Sequence, residues 1–305
     1  MERVCIVGAG SIGSLLAAHL SRVAEVTVLV RRPGHAAALN ERGLRVSGRA
    51  DFVGRPRAIV DAAELPDCDL AILATKTTEV EAAARGLEGR LPSATVMTIQ
   101  NGLGAEELVA RHGDWPLISA VTFMSGFRHA DAHVEYVLDT ATWLGPYGGA
   151  PFETAQEAAA LLVASGLKAE AYPDVCPRQW SKLIFNATVN GVAALTGLPH
   201  DFHFAERTLP GDLGHLVHDL VDEGKRVAAA AGVELQEDPW EMNVLATRRG
   251  SRHFPSMLED VEAHRRTEVD FIGGALVREG ERHGVDVPLH RAVWRLVKAR
   301  EASYS

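Results

Sequence analysis

The stretch "VCIVGAGSIGSLLAAHLSR", residues 4–22, decides the fold. It opens as a short apolar run of strand type, passes through three glycines, and ends with apolar residues at helical spacing. Gly8, Gly10 and Gly13 fall in a GxGxxG pattern, "GAGSIG". Glycine permits a tight strand-to-helix turn and lets the backbone approach a pyrophosphate, while the positive end of the following helix faces the phosphates. A glycine-rich structural turn would explain the hexapeptide alone equally well. Here it follows a strand and opens a helix, the context a dinucleotide-binding loop requires. Gly8, Ala9, Gly10, Ser11, Ile12 and Gly13 are therefore the candidate cofactor-binding segment.

Outward from this stretch the pattern repeats. "EVTVLVR" (25–31), "DLAILAT" (69–75) and "ATVMTIQ" (94–100) read as strands, and "TEVEAAARGL" (78–87) and "AEELVARH" (105–112) as helices. Strands alternating with helices imply a parallel sheet covered on both faces. "PLISAVTFM", "HVEYVLD" and "TATWLG" read as further strands closing that sheet, followed by the helix "FETAQEAAALLVASG" and the strand "KAEAYP". From about Asp174 strand signals stop. Helical patterns cover 175–196, 209–232, 237–249, 256–283 and 288–302. The expected architecture is an α/β Rossmann domain with a doubly wound parallel sheet over 1–174, then an all-α domain over 175–305, with the break near Pro173 and Pro177.

The chain has 305 residues, enough for two domains. A hydrophobic share of 47% and a charged share of 23% are those of an ordinary soluble protein. Net charge is −9, which argues against nucleic acid as a bulk partner, because the phosphate backbone wants a positive surface. A local basic pocket for one phosphorylated small molecule remains compatible. Cys5, Cys68 and Cys176 are widely spaced and odd in number, and no metal-ligand spacing appears, so a reduced cytoplasmic setting is expected. No run reaches the roughly 18 apolar residues of a membrane span.

Arg31 closes the second strand and Arg32 follows it. An NAD site usually places a carboxylate there for the ribose 2′-hydroxyl, whereas arginine suits a 2′-phosphate. Arg31 is the candidate for NADP(H) selectivity, and Arg32 is either a helper or a solvated charge. Lys76 and Asn101 end later strands, where ligands collect in open parallel sheets. The alternatives are a lysine capping the sheet edge and an ordinary "NG" turn.

"WSKLIFNATVN" (180–190) places Lys182, Asn186 and Asn190 on one helix face by the i, i+4, i+8 rule. One cation and two amides amid apolar residues look like the wall of a polar pocket. A lysine whose stem covers the core is the plainer alternative. In "PSMLE", Ser256 and Glu259 form a capping box with Ser256 as N-cap. Glu268 is open to reading as a solvated helix residue beside Arg265 or Arg266.

Together "GAGSIG", Arg31, "TK" at 75–76, "QNGLG", "WSKLIFNATVN" and "PSMLEDVEAHRRTEVDFIGG" resemble the ketopantoate reductase (2-dehydropantoate 2-reductase) family, in its order and at similar spacing from Gly8 to Gly274. The resemblance implies NADPH-dependent reduction of a 2-oxo acid, 2-dehydropantoate to (R)-pantoate on the way to coenzyme A, at a cleft between two domains. It implies Lys182 as proton donor, Asn186, Asn190 and Ser256 as substrate-binding residues, and Glu268 as the carboxylate near lysine and cofactor. Asn101 and Lys76 match residues beside the nicotinamide. Three positions depart from the family: His253 and His200 stand where asparagines are frequent, and Gly273 replaces another. They leave open the 2-oxo acid reduced. A desolvated ammonium is the better acid, and a nearby carboxylate keeps it protonated until needed. Rival readings are a reductase of another 2-oxo acid on this fold, and a non-catalytic NADP(H) sensor. A homodimer is compatible with the sequence.

Overall fold

The computed structural model of the chain describes residues 1–208, 211–248 and 254–304. The opening stretch folds as β1 (Arg3–Val7) and α1 (Ser11–Leu20). Then come β2 (Glu25–Leu29), α2 (Pro33–Arg42), β3 (Leu44–Gly48), β4 (Phe52–Gly54), β5 (Arg57–Ile59), β6 (Leu70–Leu73), α3 (Thr77–Arg85) and β7 (Thr95–Thr98). They are followed by α4 (Ala105–Ala110), β8 (Leu117–Thr122), β9 (Ser125–Ala130), β10 (His133–Leu138), β11 (Thr142–Tyr147), α5 (Phe152–Ala164) and β12 (Ala169–Ala171). No strand follows among the described residues; the remaining helices are α6 (Cys176–Thr196), α7 (Asp212–Ala230), α8 (Pro239–Thr247), α9 (Ser256–Glu262), α10 (Gly273–Arg282) and α11 (Pro288–Glu301). The chain divides into two units, Met1–Gln100 with Ala105–Val175, and Asn101–Gly104 with Cys176–Ser305.

In the first unit an eight-stranded sheet runs in the order β12-β11-β8-β7-β6-β1-β2-β5. It is parallel except where β11 pairs antiparallel with β8. Side chains alternate across it. Ile6, Ile72 and Met97 enter one core, whereas Cys5, Ala71, Leu73 and Val96 enter the other. Both faces are buried, so these strands read as continuous apolar runs rather than alternating ones. The strand order reverses direction at β1, which sits between β6 and β2; the carboxyl ends flanking such a switch point are where open α/β sheets bind ligands.

The expectation that "HVEYVLD" closes this sheet is corrected. β10 belongs to a separate four-stranded sheet, β4-β3-β10-β9, which packs on α1. The reason lies in α1, whose residues from Gly13 to Leu20 are all buried and need cover on the side away from the main sheet. Val134 and Tyr136 point inward there, and Tyr136 and Phe52 meet His19 edge-on at 5.7 and 4.8 Å. None of Cys5, Cys68 and Cys176 is joined in a disulfide among the described residues.

In the second unit α6 is the central helix, packed by α7, α8, α9, α10 and α11. Helices approach closely where glycine allows it: a Cβ on Gly224 would lie 2.6 Å from Ile184, and one on Gly191 2.5 Å from Val293. A helix surrounded in this way is apolar almost all round. The continuous helix expected over 256–283 is also corrected. Between α9 and α10 the chain leaves helical geometry, with His264 at φ 50°. The Thr267 backbone N and Oγ1 both donate to Glu301 Oε1 (2.7 and 2.6 Å), so that amide cannot close a helical turn.

Candidate active site

The glycine loop has the geometry its sequence asks for. Gly8 has φ +97°, and a Cβ there would stand 3.0 Å from Thr75 Cγ2. A Cβ on Gly13 would come within 2.0 Å of Gly8 O, so only glycine lets α1 start this close to β1. Gly10 is the N-cap of α1 with no side-chain cap, and a Cβ on it would meet nothing within 4 Å. Open space therefore stands over a helix start that faces it with backbone alone, flanked by Ala9, Ser11 and Ile12. Thr75 Oγ1 is buried here and has no hydrogen-bond partner. These are features a pyrophosphate-bearing group would fit.

Other candidates line the same strand ends. Lys76 is the N-cap of α3, directly after β6. Arg31 lies just beyond β2 and pairs with Glu79 in the first turn of α3, Nη1 to Oε1 2.7 Å. Arg32 pairs instead with Asp131, and that contact is the main cause holding the Asp131 carboxyl below its ordinary range. Gln100 Nε2 donates to the carbonyls of Leu73 (2.6 Å) and Thr75 (3.0 Å), tying the ends of β6 and β7 together. Thr75 and Gln100 occur in the "TK" and "QNGLG" motifs, but sequence reasoning gave them no role of their own.

The second unit gathers a different set. Lys182, Asn186 and Asn190 share a face of α6, and all three are buried, Lys182 being only 8% exposed. Asn101 comes from the short segment Asn101–Gly104 that packs with this unit. Its Oδ1 accepts from Lys182 Nζ at 2.7 Å and from Asn186 Nδ2 at 3.4 Å. The segment is held by backbone: Leu103 N donates to Phe271 O at 3.0 Å, and a Cβ on Gly102 (φ +94°) would fall 2.0 Å from that oxygen. The "NG" is thus a docking element, which only a glycine at 102 permits.

Burial lowers the Lys182 amine from its ordinary value to about 8, and the Glu268 carboxylate works in the opposite direction. An amine in that range is protonated at neutral pH yet gives up its proton readily. Glu268 lies in the non-helical link between α9 and α10. The link is pinned on both sides, by Thr267 on Glu301 and by Asp270, whose carboxylate accepts from Trp294 Nε1 (2.9 Å) and Lys298 Nζ (2.9 Å). The solvated-helix reading of Glu268 is thereby replaced, since the residue is half-buried and outside any helix.

Ser256 is not the N-cap that its capping box predicts. Pro255 is the N-cap of α9, no side-chain cap forms, and Ser256 is exposed in the first turn. The side chain serving this helix start is Asn190, whose Oδ1 accepts from Met257 N at 3.4 Å. Proline's fixed φ suits the turn into the helix, and the buried amide of α6 supplies the acceptor that the serine was expected to provide. His200 is a core residue, 3% exposed, with Nε2 2.8 Å from Asn243 Oδ1 and its ring edge-on to Phe204. At Gly273 a Cβ would meet only ordinary contacts at 3.9 Å, so packing does not demand glycine there. His253 lies outside the described residues. No cluster of metal-ligating side chains and no helix long and apolar enough to cross a membrane occurs among the described residues.

Two family models describe the chain: "Ketopantoate reductase PanE/ApbA" over residues 4–149 and "Ketopantoate reductase PanE/ApbA C terminal" over residues 174–301. The chain belongs to the ketopantoate reductase family. Among curated relatives, the 2-dehydropantoate 2-reductase of Archaeoglobus fulgidus is 30% identical over 302 residues, 99% of each chain. The solved 2-dehydropantoate 2-reductase of Methylococcus capsulatus is 30% identical with a TM-score of 0.86, covering 99% of this chain and 98% of that one. The PanE/ApbA family ketopantoate reductase of Ralstonia eutropha JMP134 is 26% identical with a TM-score of 0.89, over 99% of both. As a ketopantoate reductase family member the protein is an oxidoreductase with a Rossmann-type α/β unit and a helical unit.

Proposed function

We propose that the protein reduces 2-dehydropantoate to (R)-pantoate with NADPH, a step supplying coenzyme A synthesis in the cytoplasm, and that Lys182 donates the proton. The observation that carries this reading is the buried Lys182 amine, lowered to about 8, held on Asn101 and opposed by Glu268. Family membership and relatives bearing the 2-dehydropantoate 2-reductase name support the substrate.

The segment from Gly8 to Gly13 would hold the pyrophosphate, Arg31 the 2′-phosphate, and Lys76, Asn101 and Glu268 the nicotinamide end; the bound cofactor supplies hydride to the carbonyl carbon. The chain's own residues do the rest. Lys182 polarises the carbonyl oxygen through its ammonium and then gives that oxygen a proton. Asn101 orients the amine until substrate takes its place. Glu268 keeps the amine charged at neutral pH. Asn186 and Asn190 offer amides, which hydrogen-bond substrate without titrating. Ser256, exposed in the first turn of α9, would add a hydroxyl contact to the substrate. In this reading residues 1–174 form the cofactor domain and 175–305 the substrate and catalytic domain, with Asn101 acting alongside the latter.

The test is NADPH oxidation followed by absorbance with 2-dehydropantoate and a panel of other 2-oxo acids. Turnover highest with 2-dehydropantoate is expected, and Lys182→Ala should lower kcat by about two or more powers of ten while cofactor affinity stays nearly intact. Normal turnover by that variant would overturn the proton-donor role. A different best substrate would overturn the assigned 2-oxo acid and leave the chemistry standing.

A further inference from the structure

Arg31 and Glu79 flank the glycine loop from opposite sides. β1, which carries the loop, is hydrogen-bonded to β2 on one side and β6 on the other. Arg31 follows β2, Glu79 sits in the first turn of the helix after β6, and the two meet at 2.7 Å. The pair spans the carboxyl end of β1. It is not a buried structural clamp, because the Arg31 side chain is 84% exposed and that of Glu79 42%. Exposed pairs of this kind contribute little to stability. Their effect on an arriving ligand is another matter.

A 2′-phosphate and a 2′-hydroxyl make opposite demands. The phosphate needs charge-assisted donors, which arginine supplies, and is repelled by a carboxylate. The hydroxyl is served by a carboxylate acceptor, as in sites that take the unphosphorylated nucleotide. This chain carries both groups in contact at one place. We infer that Glu79 is a specificity-determining residue of the nucleotide site: by pairing with Arg31 it weakens the hold on a 2′-phosphate and supplies an acceptor for a 2′-hydroxyl. The inference rests on the reading that the glycine loop binds NADP(H). It assigns the protein a moderate rather than an extreme preference for NADPH, with NADH bound measurably.

Isothermal titration calorimetry on the full chain tests it, using NADPH, NADH and the fragments adenosine 2′-monophosphate and adenosine. Glu79→Gln keeps the shape and an amide oxygen for Arg31 while removing the charge. It should tighten NADPH and adenosine 2′-monophosphate about tenfold, the effect of deleting one like charge at the protein surface. NADH should bind no better, and the gain should shrink near ~1 M salt, where the Debye length falls to about 3 Å. Arg31→Ala should reverse the order of the two dinucleotides. A NADPH-to-NADH affinity ratio in Glu79→Gln that stays within about twofold of wild type, with both dinucleotides binding, would overturn the role of Glu79 alone. Wild type binding neither dinucleotide would overturn the glycine-loop reading and this inference with it.

Discussion

Replacing Lys182 by methionine keeps most of the side-chain volume and removes the one charge that α6 buries. In the folded protein the amine is lowered from 10.5 to about 8, with burial as the dominant cause. The sign follows from proton binding. Between these two values the unfolded chain holds a proton that the folded chain has released, so stability rises with pH across that window. Below about 8 the folded protein carries the full cost of a buried ammonium, about 3 kcal/mol at roughly 1.4 kcal/mol per tenfold change in proton affinity. Methionine at 182 carries no such cost, but it leaves Asn101 Oδ1 without its 2.7 Å donor, a loss of about 1 kcal/mol or more. That loss is nearly independent of pH, and comparing the two proteins across pH therefore isolates the titration. From about pH 7 to about pH 9.5, wild type should gain about 2 kcal/mol on the variant. Urea unfolding of both proteins at several pH values, with equal m-values, reads this directly. Parallel stability curves would refute the claim that the amine is desolvated, and with it the argument that burial tunes the residue for proton transfer.

Other perturbations probe neighbouring contacts. Glu268→Gln removes the charge that holds the Lys182 amine up, so the alkaline fall of kcat/KM, expected near 8 in wild type, should move to lower pH; an unmoved limb would separate Glu268 from the lysine. Gly102→Ala forces a Cβ to within 2.0 Å of Phe271 O at φ +94°, and should cost about 2 kcal/mol or more in unfolding experiments and raise KM by displacing Asn101. Glu223 accepts from Leu289 N and His290 N, both at 3.0 Å, so Glu223→Ala should destabilise the fold by about 1–2 kcal/mol through loss of the α11 cap. Glu106 is buried in the first unit, and burial pushes its carboxyl above the usual range. Stability should therefore fall as pH rises through that raised value, and Glu106→Gln should remove the fall and add on the order of 1 kcal/mol at neutral pH, as read from melting curves.

What the sequence reveals depends on how far apart the cooperating residues lie. The main sheet is legible because its inner strands are buried on both faces: residues 4–7 and Leu70–Leu73 are unbroken apolar runs, and β7 and β8 interrupt theirs only with threonine and serine. The small sheet is not, because β4 is three residues long, β3 mixes exposed with buried positions and β9 has no buried residue at all. α2 hides behind Pro33 and Gly34, which look like a loop but place proline in the first turn, where it is tolerated. Along α6 the polar face is readable from spacing alone, since Lys182, Asn186 and Asn190 are local to one helix. The partners of that face are not.

Asn101 comes from 81 positions earlier to meet Lys182, and Glu301 reaches back 34 positions to meet Thr267 beside the residue that tunes the amine. No periodicity links such pairs, because a contact between distant segments leaves no mark on either segment's local pattern. The Ser256 cap illustrates the converse. The local pattern "PSMLE" satisfies every rule for a serine N-cap, yet Pro255 takes that position and the buried amide of Asn190 supplies the acceptor. A capping serine and a capping asparagine from another helix compete for the same backbone N–H groups, and the packing of α9 on α6 decides between them. In the first unit, the exposed Arg31–Glu79 pair follows the same logic with opposite consequence. Its partners are 48 positions apart and bring little stability, so the pair is informative about what binds there rather than about how the chain folds.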